Sequence, residues 1–250
     1  MSSIGTGGWG WGWLGQDGAG LSSSYSGKVL SYSPIAYWPL NEATGTNANC
    51  LVNSAQDGTY TGVTLGQTGI GDGNTCPLFD GTNDYVDIYS AALNTAFSGT
   101  AGTMVIWAKV FNAAVWADTN SRMAVSLSDI GNENRVKLRK STTNNRLDAI
   151  YNQGGAGDVT VSRDPGPSTS WLHMAMTWNV AATALTFYVT GLASATDTIA
   201  AGWVQLFDSD KCAIGSHDTT PSQCWYGWLA HCAIWDSVLT PAQIADIATV

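Results

Sequence analysis

Two carboxylates that flank a glycosidic bond make a hydrolase, one serving as acid and the other as base or nucleophile. The only glutamates here are Glu42 and Glu133, too far apart in sequence to share a strand. Aspartates are plentiful, but no spacing singles out a pair. His173 and His231 sit inside apolar runs, as core or sheet-face histidines do. His217, in Gly215-Ser216-His217-Asp218, is the histidine placed to reach a ligand. The sequence lacks a Gly-x-Ser-x-Gly elbow, a phosphate-cradling glycine loop and the Cys-x-x-Cys or His-x-x-x-His spacing of a zinc site. These features argue against an enzyme.

Binding chemistry is better represented. Calcium collects about six to eight oxygens in one place. Asp80, Asn83, Asp84 and Asp87 cluster in one short segment and are candidate ligands for it, although Asx turns use the same residue types. A pyranose, with an apolar face and a polar rim, needs an aromatic platform beside amides and carboxylates. Trp225 and Tyr226, with His217 and Asp218, are the candidate glycan-binding residues, and Trp116, Asp118 and Asn120 form a second set. Trp225 suits a core position equally well. Trp38, Trp107, Trp171, Trp178 and Trp235 are expected to fill the core.

The elements that must position these groups read as strands. Trp171-Leu172-His173-Met174-Ala175-Met176-Thr177-Trp178, Leu185-Thr186-Phe187-Tyr188-Val189-Thr190-Gly191 and Trp228-Leu229-Ala230-His231-Cys232-Ala233-Ile234-Trp235-Asp236 are short, rich in aromatic or apolar residues and closed by turn residues. The last run leads to Thr240-Pro241, a cap and first position for a short C-terminal helix. Twenty-eight glycines and 12% charged residues favour strands and loops over helices, and 250 residues suit one large sandwich.

Residues 1–30 differ in composition. Trp9, Trp11 and Trp13 alternate with glycines, so an extended chain places the indoles on one face. Three indoles expose roughly 600 Å², the upper end of what a soluble monomer leaves uncovered. The expectation is an assembly arm that docks on another subunit, a copy of this chain or a capsid protein; packing on its own sandwich is the alternative. A net charge of -9 opposes nucleic acid and anionic membranes as partners. No run is long and apolar enough for membrane insertion. The first 27 residues contain no signal-peptide core, which favours release by lysis or carriage on a particle over Sec export. Five cysteines allow two bridges, Cys50 with Cys76 and Cys212 with Cys224, leaving Cys232 buried; free thiols fit as well.

Pro34-Ile35-Ala36-Tyr37-Trp38-Pro39-Leu40-Asn41-Glu42, Asp57-Gly58-Thr59-Tyr60-Thr61-Gly62-Val63 and Phe79-Asp80-Gly81-Thr82-Asn83-Asp84-Tyr85-Val86, followed by the three later strands and the helix, keep a recognisable order. Over residues 31–250 the chain resembles the concanavalin A-like lectin/glucanase superfamily and its laminin-G-like jelly rolls. The resemblance implies an all-β fold: a two-sheet antiparallel jelly-roll sandwich with a short C-terminal helix, here behind an extended N-terminal arm. It implies binding of glycans or proteins, often with calcium, and catalysis only in some branches. The laminarinase-like Glu-x-Asp-x-x-Glu strand is missing. The family often brings loops like those of Glu42 and Asp57 near the calcium segment, but Asn53 stands where it has an acidic residue. Phages use such sandwiches as capsid decoration or fibre domains. The expected function is therefore a non-catalytic protein on a virion surface that touches host glycans. A free-standing extracellular or cell-surface lectin is the alternative, and a glycoside hydrolase the third reading.

Overall fold

A computed structural model describes residues 24–200, 203 and 206–250. Trp9, Trp11 and Trp13 lie outside the described residues. The chain begins with helix α1 (Tyr25–Ser31), then strands β1 (Ala36–Trp38) and β2 (Asn47–Ala48), a 3-10 turn at Ser54–Gln56, β3 (Gly58–Thr61), β4 (Thr64–Thr68), β5 (Thr75–Asp80) and β6 (Tyr85–Asp87). Helix α2 (Ala91–Ala96), β7 (Ala101–Val110), α3 (Ala114–Ala117), β8 (Arg122–Ser128), β9 (Arg135–Lys140), β10 (Leu147–Asn152) and β11 (Val159–Arg163) follow. Strands β12 (Leu172–Asn179), β13 (Ala184–Val189), β14 (Ala195–Thr198), β15 (Cys212–Ile214) and β16 (Tyr226–Trp235) lead to helix α4 (Pro241–Ile247).

The strands make two antiparallel sheets. The first runs β14-β13-β12-β7-β16-β5-β4, with β1 also paired to β16; the second runs β11-β10-β9-β8-β15-β6-β3-β2. This is the expected jelly-roll sandwich. Alternating residues of facing strands close the core between the sheets, among them Trp38, Phe79, Leu138, Trp178, Phe187 and Trp225. A second apolar layer covers the far side of the first sheet: Trp107, Ala175 and Trp235 pack there with Tyr25 and Val29 of α1 and Ile244 and Ile247 of α4.

Both helices follow from local chemistry. Thr240 and Gln243 form a capping box, each side chain accepting from the other's backbone N–H, with Pro241 in the first turn of α4. Ser24 caps α1 by accepting from Gly27 N. Residues 25–30, assigned by composition to the extended arm, are helical instead. Tyr25 and Val29, one turn apart, give the segment a face that buries against the sheet, and Tyr25 Oη donates to Ile247 O at 2.7 Å.

Under α1 lies a buried polar chain. His231 adopts a positive φ of 53° at the bulge of β16, Asp72 Oδ2 lies 3.1 Å from its Nε2, and Tyr37 Oη lies 2.7 Å from its Nδ1. His231 and His173 are each 1% exposed. All five cysteines are buried free thiols, so neither bridge forms. No helix among the described residues is long and apolar enough to cross a membrane.

Candidate functional site

Strand β9 reads Arg135-Val136-Lys137-Leu138-Arg139-Lys140. Val136 and Leu138 are fully buried between the sheets, so Arg135, Lys137 and Arg139 project from the outer face of the second sheet. The register sets their neighbours: Arg139 lies between Asp148 and Met123, Lys137 between Ile150 and Ser126, and Arg135 between Asn152 and Ser128. Of the ten basic residues, all but Lys28 and Lys109 lie in this sheet or the segments joining its strands. An acidic chain thus concentrates its cations in one sheet and its connections.

Most of these cations have carboxylate partners. Arg139 and Arg146 share Asp148, Arg135 pairs with Asp158, and Arg122 and Lys140 share Asp118. Lys137 differs: among the described residues no carboxylate stands within ion-pair distance, and its Nζ donates to Asn132 Oδ1 at 2.8 Å. Its Nζ also lies 2.9 Å from His217 Nε2, while His217 Nδ1 lies 3.0 Å from Asp218 Oδ2. These partners suit a neutral imidazole that gives its Nδ1 proton to Asp218 and accepts from Lys137. Burial, followed by the charge of Arg135, pulls Lys137 down to about 7. Burial and Lys137 also lower His217. Burial opposes the charge on Asp218, but hydrogen bonds from Lys211 and His217 outweigh it and hold its pKa low.

These groups line a cleft of ≈ 170 Å³ walled by Arg135, Lys137, Arg139, Asp158, His217 and Gln223. Beside it, Ser126 Oγ, Ser128 Oγ and Asp218 Oδ1 are buried without a protein hydrogen-bond partner. The arrangement can hold a polar anionic group against a desolvated ammonium. A larger cleft of ≈ 410 Å³ opens between the β13–β14 turn and α4, lined by Leu192, Ile244 and Ala248. Tyr188 and the hydroxyl-bearing Thr190, Ser194 and Thr249 also line it, but among the described residues no lysine or arginine does, and His173 there packs edge-on against Trp107 with its Nε2 buried, so it offers an acidic sugar no cation.

Of the residues singled out in the sequence, His217 lines the cationic cleft, and Asp218 stands behind it at its Nδ1. Trp225 does not: it is 1% exposed in the inter-sheet core, which corrects its assignment as a sugar platform. Baring about 200 Å² of indole at roughly 25 cal/mol per Å² costs about 5 kcal/mol, more than the roughly 0.5–1.5 kcal/mol that an aromatic contact returns. Tyr226 is half-buried, stacked on Phe111 at 4.7 Å with the Arg122 guanidinium 5.5 Å from its ring. Its ring is already engaged within the protein. Trp116 is buried, Asp118 is held by Arg122 and Lys140, and Asn120 is exposed.

The segment read as a calcium site makes turns. Asp80 Oδ1 accepts from Thr82 N and Asn83 N, Asp84 Oδ2 from Asp80 N, and Asp87 Oδ1 from Tyr89 N. Asn83 itself is exposed. Glu42 accepts from Asn49 and Tyr60, and Asp57 from Cys50 N. Among the described residues no group of three or more His, Cys, Asp or Glu side chains could hold a metal ion. Sequence reasoning missed the Arg135-Lys137-Arg139 row. Its signal was present as basic residues alternating with Val136 and Leu138.

Residues 80–245 match the laminin-G family model of the concanavalin A-like lectin/glucanases superfamily. The chain belongs to this superfamily. No curated protein matches the sequence. Among solved structures it is similar to the receptor binding domain of botulinum neurotoxin mosaic serotype C/D, with a TM-score of 0.62, 12% identity, and coverage of 84% of this chain and 49% of that one. The botulinum neurotoxin serotype D binding domain gives 0.59 and 13%, covering 84% and 50%. This member of the superfamily thus spans about half the length of those toxin domains. The Ruminococcus gnavus IT-sialidase CBM40 bound to α2,3 sialyllactose gives 0.54 and 13%, covering 68% of this chain and 94% of that one. At these identities the likeness is one of fold.

Proposed function

We propose that this lectin-like sandwich is a non-catalytic glycan-binding module whose second sheet takes a carboxylate-bearing sugar at Lys137. The observation that carries the reading is the Arg135-Lys137-Arg139 row, in which the flanking arginines have carboxylate partners and the central lysine does not. A sugar carboxylate would supply that partner, and charge-assisted hydrogen bonds are the stronger kind. Support also comes from the fold: a sialidase module of similar architecture is bound to an acidic oligosaccharide, and the similar toxin domains are receptor-binding.

Display at the virion surface, or in the alternative at an extracellular or cell surface, is the second part of the proposal. It rests on Trp9, Trp11 and Trp13 in the sequence. The test of the binding part is calorimetry with α2,3-sialyllactose against neutral lactose. Lys137→Met keeps the buried stem and removes the charge. Binding of sialyllactose alone, weakened about tenfold or more by Lys137→Met at unchanged melting temperature, is expected. Equal binding of both sugars, or an indifferent Lys137→Met variant, would overturn it.

A further inference from the structure

Gln223 lies between two clefts. On one side it closes the Lys137 cleft; on the other it lines a cleft of ≈ 320 Å³ formed by three chain segments, Gly81 and Thr82 after β5, Thr119 to Arg122 entering β8, and Gln223 and Cys224 before β16. That volume is at the lower end of the roughly 300–1,000 Å³ of small-molecule sites. The wall between the clefts is held at its backbone carbonyls: Met123 N donates to Gln223 O at 2.7 Å, and the Arg122 side chain donates from Nη1 to Cys224 O at 3.1 Å. Gln223 itself has a φ of 52°, a left-handed conformation uncommon for a residue with a side chain, and that side chain is exposed.

The chemistry of the second cleft differs from that of the first. Thr82, Thr119, Asn120 and Gln223 are exposed, and among the described residues their hydroxyl and amide groups have no hydrogen-bond partner in the protein. Ser121 Oγ is buried without a partner. The one charged group of the lining, Arg122, is neutralised by Asp118, which its Nε reaches at 3.0 Å and its Nη2 at 2.6 Å. Uncommitted hydroxyls and amides around a neutralised guanidinium suit a neutral, polyhydroxylated group and offer an anion nothing extra.

We propose that the two clefts are consecutive subsites for one acidic oligosaccharide. The carboxylate-bearing sugar lies against Lys137, and the neutral pyranose joined to it passes Gln223 to bond with Thr82, Asn120 and Ser121. This rests on the Lys137 reading and adds to it the length of the ligand.

The experiment is calorimetry on the full chain with two probes, free N-acetylneuraminic acid and α2,3-sialyllactose. The trisaccharide should bind about tenfold or more tightly than the monosaccharide, the worth of two or so added hydrogen bonds. The double variant Thr82→Ala/Asn120→Ala truncates two exposed side chains, and its melting temperature reports whether the fold is kept. It should bring the trisaccharide down to the affinity of the monosaccharide and leave the monosaccharide unchanged. Equal affinities of the two probes for the unaltered protein, or a double variant that binds the trisaccharide as well as the parent, overturns the second subsite while leaving Lys137 in place. Failure of both probes to bind overturns the Lys137 reading and the second subsite with it.

Discussion

Lys137 and Trp225 illustrate how burial decides what a side chain can do. Lys137 has a pKa near 7, against about 10.4 for an ordinary lysine, because burial and Arg135 disfavour its charged form. The lowered value carries a sign. The folded protein binds this proton more weakly than the unfolded chain, so charged Lys137 costs stability below pH 7, and the cost disappears as pH rises from about 7 to about 10. A sugar carboxylate needs the charged form. Its affinity should therefore be greatest below pH 7 and fall through the range above it, as calorimetry from pH 6 to 9 would report; a flat profile would contradict the role of Lys137. Trp225 should behave oppositely to a site residue. Trp225→Ala is expected to cost about 3–5 kcal/mol of stability by urea unfolding, from the cavity it leaves in the core. A stable variant that had merely lost sugar binding would return Trp225 to the surface.

Among the elements, β12, β13, β16 and α4 could be read from the sequence, because their period or cap lies within a few adjacent residues. The capping box of α4 is an example: Thr240 Oγ1 accepts from Gln243 N at 3.3 Å, and Gln243 Oε1 accepts from Thr240 N at 2.8 Å. Thr240→Ala should cost roughly 0.5–2 kcal/mol in the same unfolding assay, and a cost near zero would show that packing of Ile244 and Ile247 alone holds the helix. Helix α1 was not legible. Its Ser- and Gly-bearing sequence favours a loop, and only burial of Tyr25 and Val29 against α4 and the first sheet makes the helix worth forming. Strand β9 was legible in pattern but not in consequence: alternation shows which side chains share a face, and the neighbouring strands determine which of them find carboxylates.

For the whole molecule, two measurements address what composition left open. The five free thiols should resist alkylation in the folded state and all react after unfolding, and reductant should leave the melting temperature unchanged. A drop on reduction would mean that a bridge forms after all. Removing residues 1–23 leaves α1 and its contacts with the sandwich intact. By light scattering, the full chain should assemble and the shortened one should remain a folded monomer; identical masses would remove the assembly arm from the proposal. The charge distribution also belongs to this scale. A net charge of -9 describes long-range repulsion of polyanions, and most of the eight cations that lie with the second sheet are paired with its carboxylates, so the attraction for a single anionic group there falls to Lys137.

The sequence by itself determined three of the later strands and the capped C-terminal helix, because periodicity and turn chemistry are local properties of the chain, and the resemblance carried by its motifs implied the sandwich. It also brought His217 and Asp218 forward, since they lie in a polar loop between strands. Tertiary structure alone decided that Trp225 is core, that the Asp80–Asp87 segment makes turns and that α1 folds. It also brought Lys137 of β9 beside His217 from a loop 80 residues away in the chain. Burial and ion pairing depend on which distant segments meet, and no short-range pattern contains that information.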